Sequence, residues 1–123
     1  MVKSKSSKSE LIHKIIFGIE DVKGADVNIM DLTNIANTVC GYFIICTGTS
    51  NTHVSAIVSS IKRHVSKQLK EKPFSIEGNE NQEWVLIDYI DVVVHVFQKE
   101  IREYYDIENL WGDAKITKVE LNA

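Results

Sequence analysis

The run Val92-Val93-Val94-His95-Val96-Phe97 has no polar face. Read as a strand, it sets Val92, Val94 and Val96 on one side and Val93, His95 and Phe97 on the other. A strand that is apolar on both sides must be covered on both, so it belongs near the middle of a sheet. Residues 38–47 read as a second strand of the same kind, since Tyr42 to Cys46 is apolar throughout. A chain of 123 residues holding two such strands is restricted to layered folds, and it is long enough for one domain with a substantial core.

The covering layers are legible as well. Residues 9–23 carry a helical pattern in which Leu11, Ile12, Ile15, Ile16, Ile19 and Val22 share a face, with Ser7 or Ser9 as the cap and Gly24 as the stop. Residues 53–70 form a longer helix with Val54, Ile57, Val58, Ile61, Val65 and Leu69 as its stripe, and Pro73 marks the exit. Residues 27–32 alternate as a half-covered strand, and 74–77 suit a short edge strand. Residues 83–88 pair with 92–97 as a hairpin across a tight link. Residues 99–105 and 107–111 read as helical turns packing back on the sheet. The order α-β-β-α-β-β-β-α predicts an α+β fold, a single domain with a mixed β-sheet and flanking helices. Residues 1–8 are expected to be a flexible N-terminal tail, 9–114 the domain, and 115–123 a loose C-terminal tail.

A modest total charge conceals a split. Positions 74–113 carry ten acids against Lys99 and Arg102, a net of −8, while the first 73 carry ten bases against six acids, a net of +4. An acidic, aromatic-rich half suits a basic protein partner better than a phosphate backbone. The helix face of Lys62, Arg63, Lys67 and Lys70 reads as a solvated surface, with minor RNA contact as the alternative, because no aromatics interleave. No apolar run approaches the ~18 residues of a membrane span, and the basic, Ser-rich start lacks the apolar segment of a secretory leader. A cytoplasmic, reducing location is expected, with Cys40 and Cys46 as free thiols outside any zinc spacing.

Thr47-Gly48-Thr49-Ser50 joins a buried strand to a helix, a place that can hold anions on main-chain N–H groups. It lacks the lysine of a P-loop. A similar turn serves nucleotidyltransferases, which also need two acids one residue apart on the next strand. Here no acid lies between Asp31 and Glu71, and Asp88 and Asp91 are three apart. A capped strand-to-helix turn explains the motif, and no cofactor or metal is predicted. His95 reads as a hydrogen-bonded core residue, with the alternative that it opens onto a binding face. Trp84 stays open between core and interface, and Trp111 suits burial against the sheet. Tyr89, between Asp88 and Asp91 at the hairpin tip, is expected to be exposed and to meet a Lys- or Arg-bearing partner.

Several segments in order carry a resemblance. They are Lys23-Gly24-Ala25-Asp26, Tyr42-Phe43-Ile44-Ile45-Cys46-Thr47-Gly48-Thr49-Ser50-Asn51, His53-Val54, Glu77-Gly78, Trp84-Val85-Leu86-Ile87-Asp88-Tyr89, Asp91 to Phe97, Arg102-Glu103-Tyr104-Tyr105 and Leu110-Trp111. From about Leu11 to Ala114 the chain resembles the ribosomal silencing factors of the RsfS/Iojap type. The resemblance implies a nucleotidyltransferase-like fold lacking catalytic acids, no enzymatic activity, and a tendency to homodimerise. It implies binding to the large ribosomal subunit through ribosomal protein L-fourteen, which blocks small-subunit joining and represses translation when nutrients are short. Organelle relatives act in large-subunit assembly, and that role is the alternative, with a nucleotide-binding enzyme as the remoter one. The partner-binding residues this implies are Trp84, Tyr89, Asp91, His95, Phe97, Leu110 and Trp111. Two positions depart from the family pattern: Ile90 replaces a glycine in the hairpin turn, so an easy left-handed residue is missing, and Cys40-Gly41 stands where an acid commonly precedes the Tyr-Phe pair.

Overall fold

The computed structural model describes residues 7–35, 40–78 and 80–120. In chain order the elements are α1 (Lys8–Asp21), β1 (Ala25–Asp31), β2 (Tyr42–Gly48), α2 (Asn51–Leu69), β3 (Ser75–Glu77), β4 (Trp84–Asp88), β5 (Val92–Gln98), α3 (Lys99–Tyr105), α4 (Ile107–Leu110) and β6 (Lys115–Lys118). The strands form one six-stranded sheet in the order β3-β4-β5-β2-β1-β6. The two doubly apolar strands, β2 and β5, are the central pair and run parallel, with Tyr42 opposite Val92 and Ile45 opposite His95. The neighbouring pairs are antiparallel, so the sheet is mixed.

Local chemistry accounts for the helix ends. The Ser7 hydroxyl accepts from the Glu10 N–H and the Glu10 carboxylate reaches back to Ser7, a capping box. At the other end Lys23 takes φ 60, and the Lys23 and Gly24 N–H groups close back on Glu20 and Ile19. The left-handed residue is therefore Lys23. Gly24 is needed for proximity, since a Cβ there would sit 2.5 Å from an Ile19 methyl. The α2 helix starts on the Ser50 hydroxyl and ends at Lys70 with φ 55.

Both helices cover one face of the sheet. Leu11, Ile15 and Ile19 of α1 and Val54, Ile57, Ile61 and Val65 of α2 pack with Ile44, Cys46, Val85, Ile87, Val92, Val94 and Val96 in one aliphatic core. The opposite face is served by the short α3–α4 segment, over a smaller cluster of Met30, Ile45, Phe97 and Ile107.

The C-terminal segment differs from expectation. Residues 115–118 are not a loose tail but an edge strand, pairing Lys115 with Asp31 and Lys118 with Asn28. All four are exposed, so the strand exists because β1 offers a free edge, a tertiary cause with no burial pattern behind it. Of the predicted N-terminal tail, Ser7 and Lys8 belong to the first helix and its cap, while residues 1–6 lie outside the described residues. The strand predicted from residue 38 begins at Tyr42, and 36–39 lie outside the described residues.

Candidate partner-docking face

What decides the site is how much of the second face α3–α4 covers. That segment is fastened by Arg102. Its guanidinium donates to the Asp26 carbonyl at 2.6 Å and the Thr47 hydroxyl at 2.8 Å, and pairs with Glu108 at 2.8 Å. The Asn28 amide donates to the same carboxylate at 2.6 Å. Burial works to raise the Glu108 carboxyl, but the Arg102 and Asn28 hydrogen bonds and the Arg102 charge outweigh it and hold it below the usual range. These anchors sit at the start of β1 and the end of β2, so the cover lies over one end of the central strands.

The other end is open. There a cavity of about 580 Å³ is lined by Leu32, Cys40, Phe43, Phe74, Leu86, Asp88, Ile90, Val93, His95 and Trp111. Its floor is Phe43, Leu86, Val93 and His95, on neighbouring strands; Phe74 and Ile90, 74% and 51% exposed, stand free beside it. Trp111 forms a wall, edge-on to Phe43 at 5.8 Å between centroids.

Trp84 bridges the covered and open halves. Its ring stacks on Phe97 at 4.8 Å and meets Tyr105 at 4.9 Å, and its indole N–H donates to Nδ1 of His95 at 3.1 Å. That bond fixes the His95 tautomer: the neutral ring carries its proton on Nε2, which has no partner among the described residues. Burial drives the imidazole pKa down to about 4, so the ring is neutral at ordinary pH.

The predicted site residues divide. Trp84, His95, Phe97 and Trp111 come together on this face, Leu110 stands exposed beside Trp111, and Asp91 is exposed at the hairpin tip. Two expectations change. Tyr89 is not an exposed tip residue: it is 8% exposed and packs in the core on the opposite, helix-covered face. The alternation of Val85 and Ile87 simply continues through it, and burial pushes its phenol well up, with Glu71 adding to the effect. Phe97 shares the docking face but is fully buried under Trp84, so it supports the surface without being part of it. Sequence reasoning missed Leu32, Phe43, Phe74, Leu86, Ile90 and Val93. The strand alternation that grouped Val93 with His95 was the available signal for Phe43 and Leu86.

The hairpin tip explains why Ile90 is presented. It adopts φ 76, while the Asp91 N–H bonds to the Tyr89 carbonyl at 3.0 Å and the Ile90 N–H to the Asp88 carboxylate at 2.7 Å. The chain makes the left-handed turn without glycine, a conformation that strains a β-branched residue. Main-chain bonds from Gly41 and Tyr42 to the Asp91 carbonyl hold the tip against the start of β2.

The strand-to-helix turn is spent internally. The Thr49 N–H bonds to Nδ1 of His53 at 2.9 Å, the His53 N–H to the Ser50 hydroxyl at 3.1 Å, and the Val54 N–H to the Ser50 carbonyl at 2.9 Å. Those donors are thus taken before any anion arrives. Lys62, Arg63, Lys67 and Lys70 are exposed on the far side of α2. Among the described residues no three His, Cys, Asp or Glu side chains converge on a common point, and no helix is long and apolar enough to cross a membrane.

Comparison with known proteins bears on the family and the fold. The model of the family described as "Ribosomal silencing factor during starvation" matches residues 5–123. The chain is 39% identical to the ribosomal silencing factor of Halalkalibacterium halodurans, over 93% of this chain and 96% of that one. It superposes on the crystal structure of a Chromobacterium violaceum protein with a TM-score of 0.80 and 36% identity, over 94% of each chain. A mouse protein named for mitochondrial assembly of the ribosomal large subunit is 35% identical over 57% of this chain and 32% of its own length.

Proposed function

The chain belongs to the ribosomal silencing factor family, and from that premise we propose that it is a non-enzymatic factor that docks on the large ribosomal subunit and keeps the small subunit from joining. The proposed contact is the basic ribosomal protein L-fourteen, as the family resemblance implies, with translation falling when nutrients are short. The open half of the second sheet face carries this reading: an apolar cavity of about 580 Å³ whose neighbouring Phe74, Ile90 and Leu110 stand in water, within a segment of net charge −8. Exposed apolar surface of this kind marks an interaction site. Trp84, Trp111, Leu110, Phe74 and Ile90 would supply affinity, and Asp88 and Asp91 would steer a basic partner and set its orientation. Roughly 800 Å² per side is enough for a specific complex, and blocking requires only occupancy. Off the ribosome, a second copy of the chain would cover the same apolar groups.

A role in large-subunit assembly is the second reading, favoured by the likeness to the mouse protein. Co-sedimentation with separated subunits, followed by addition of small subunits, tests both. Binding to the large subunit with loss of joined ribosomes supports silencing. Binding without that loss transfers the case to assembly, and absence of binding to the large subunit overturns both.

A further inference from the structure

The cavity holds one polar group with nothing to do. His95 lies mid-strand, 4% exposed, with Nδ1 taken by Trp84 and the Nε2 proton unpartnered among the described residues. Buried donors are paired in nearly all folded proteins, and an aromatic hydrocarbon at this position would fill the space without the penalty. The two ring nitrogens point well apart, so the Nε2 edge turns away from Trp84. The Phe43 ring, half-buried and itself lining the cavity, lies 4.6 Å from the imidazole.

Resting on the docking role argued above, we propose that His95 determines what enters the cavity, its Nε2–H donating to a carbonyl oxygen that a basic partner protein inserts together with an apolar side chain. The walls set the apolar requirement, since Leu32, Phe43, Leu86 and Val93 offer no side-chain donor and Trp111 presents mostly ring carbon to an occupant. The rim sets the charge. Asp88 lines the mouth and Asp91 is exposed beside it, so an anionic acceptor, carboxylate or phosphate, is repelled and a neutral carbonyl flanked by lysine or arginine is favoured. Because Nε2 lies beneath the surface, the occupant reaches it only as the side chains over it shift. The free protein keeps the donor covered, and a partner lacking the carbonyl would leave it unpaired in the complex, the arrangement that rejects a near-fit most strongly.

The test is binding of the full chain to purified large ribosomal subunits, with circular dichroism and thermal melting confirming that each variant folds. His95→Phe keeps the volume and removes the donor; binding should weaken about tenfold or more. His95→Gln can accept from Trp84 and donate onward, and should return to within about threefold of the original affinity. Val93→Trp fills the cavity from its floor and should also cost about tenfold or more. A folded His95→Phe that binds like the unaltered chain overturns the proposal, as does a His95→Gln no better than His95→Phe. Should His95→Phe not fold, normal binding by Val93→Trp overturns it instead. Failure of the unaltered chain to bind sinks the docking role itself, whereas normal binding with indifferent variants sinks only the part assigned to His95.

Discussion

The two faces of the sheet meet the same burial requirement in different ways. Under α1 and α2 the contacts are mainly aliphatic: Ile15, Ile19, Ile57 and Ile61 are 0% exposed, and the strands beneath contribute mostly valines and isoleucines. The other face is aromatic, carries a histidine, and is covered over one end only, by a segment fastened through Arg102. The contrast teaches that stability and recognition are separable here. The first face can be weakened without touching the proposed docking surface, and the second can be altered at its rim without touching the main core.

The largest effect should come from the helix face. Ile61→Ala removes a fully buried side chain and should lower stability by about 4 kcal/mol, read as a shift in denaturant midpoint. Binding to large subunits, corrected for the folded fraction, should not change; a further loss would break the separation. Next comes pH, acting through the second face. The unfolded His95 imidazole takes up a proton below about 6.5, while the folded one stays neutral down to about 4. The unfolded state therefore binds more protons in that window. His95's contribution is fully present above pH 6.5 and is lost as pH falls towards 4, by about 3 kcal/mol. Denaturation at pH 7 and pH 4.5 should show a steeper decline for the unaltered chain than for His95→Gln, which shares its carboxylates; parallel declines would mean that the buried ring is not the cause.

Two smaller effects sharpen the contrast at the rim. Phe74→Ala alters a residue that is 74% exposed, so stability should stay within about 0.5 kcal/mol while subunit binding weakens about tenfold. A drop in melting temperature without a change in binding would assign Phe74 to the fold. Ile90→Gly should raise stability by about 1 kcal/mol, because glycine takes the left-handed φ of 76 without strain. A lower melting temperature would show that the Ile90 side chain is worth more than the turn it strains.

What the sequence makes legible follows from how local each cause is. The helices over 9–23 and 53–70 and the central place of residues 92–97 are written in periodicity, and the structure differs from them only at the ends. β6 is illegible because Lys115, Ile116, Thr117 and Lys118 all fall in exposed positions; its cause is the edge of β1, more than eighty positions earlier. Tyr89 shows two local rules in conflict. Turn position suggested exposure, but the alternation through Val85 and Ile87 decided the outcome. The aromatic residues of the docking face could be grouped by strand alternation, yet Phe97 and His95 differ from Trp84 in depth, and depth depends on where Trp84 and α3 come to rest. The cavity as a whole has no sequence signature, since its walls come from β2, β4 and β5 and from residues just after β1, before β2, before β3, between β4 and β5, and after α4.

The parallel pairing of β2 with β5 has a consequence for the order in which the protein can be made. Tyr42 and Val92 are partners although fifty positions separate them, and the whole of α2, β3 and β4 lies between. Closing so long a segment is entropically demanding and slow. During synthesis Ile44 and Cys46 emerge well before Val94 and Val96, the residues that will lie beside them. While the intervening fifty residues are made, the nascent chain thus displays one edge of a strand apolar on both faces, a period in which aggregation competes with folding. A translational pause before β5 has emerged would lengthen that exposure.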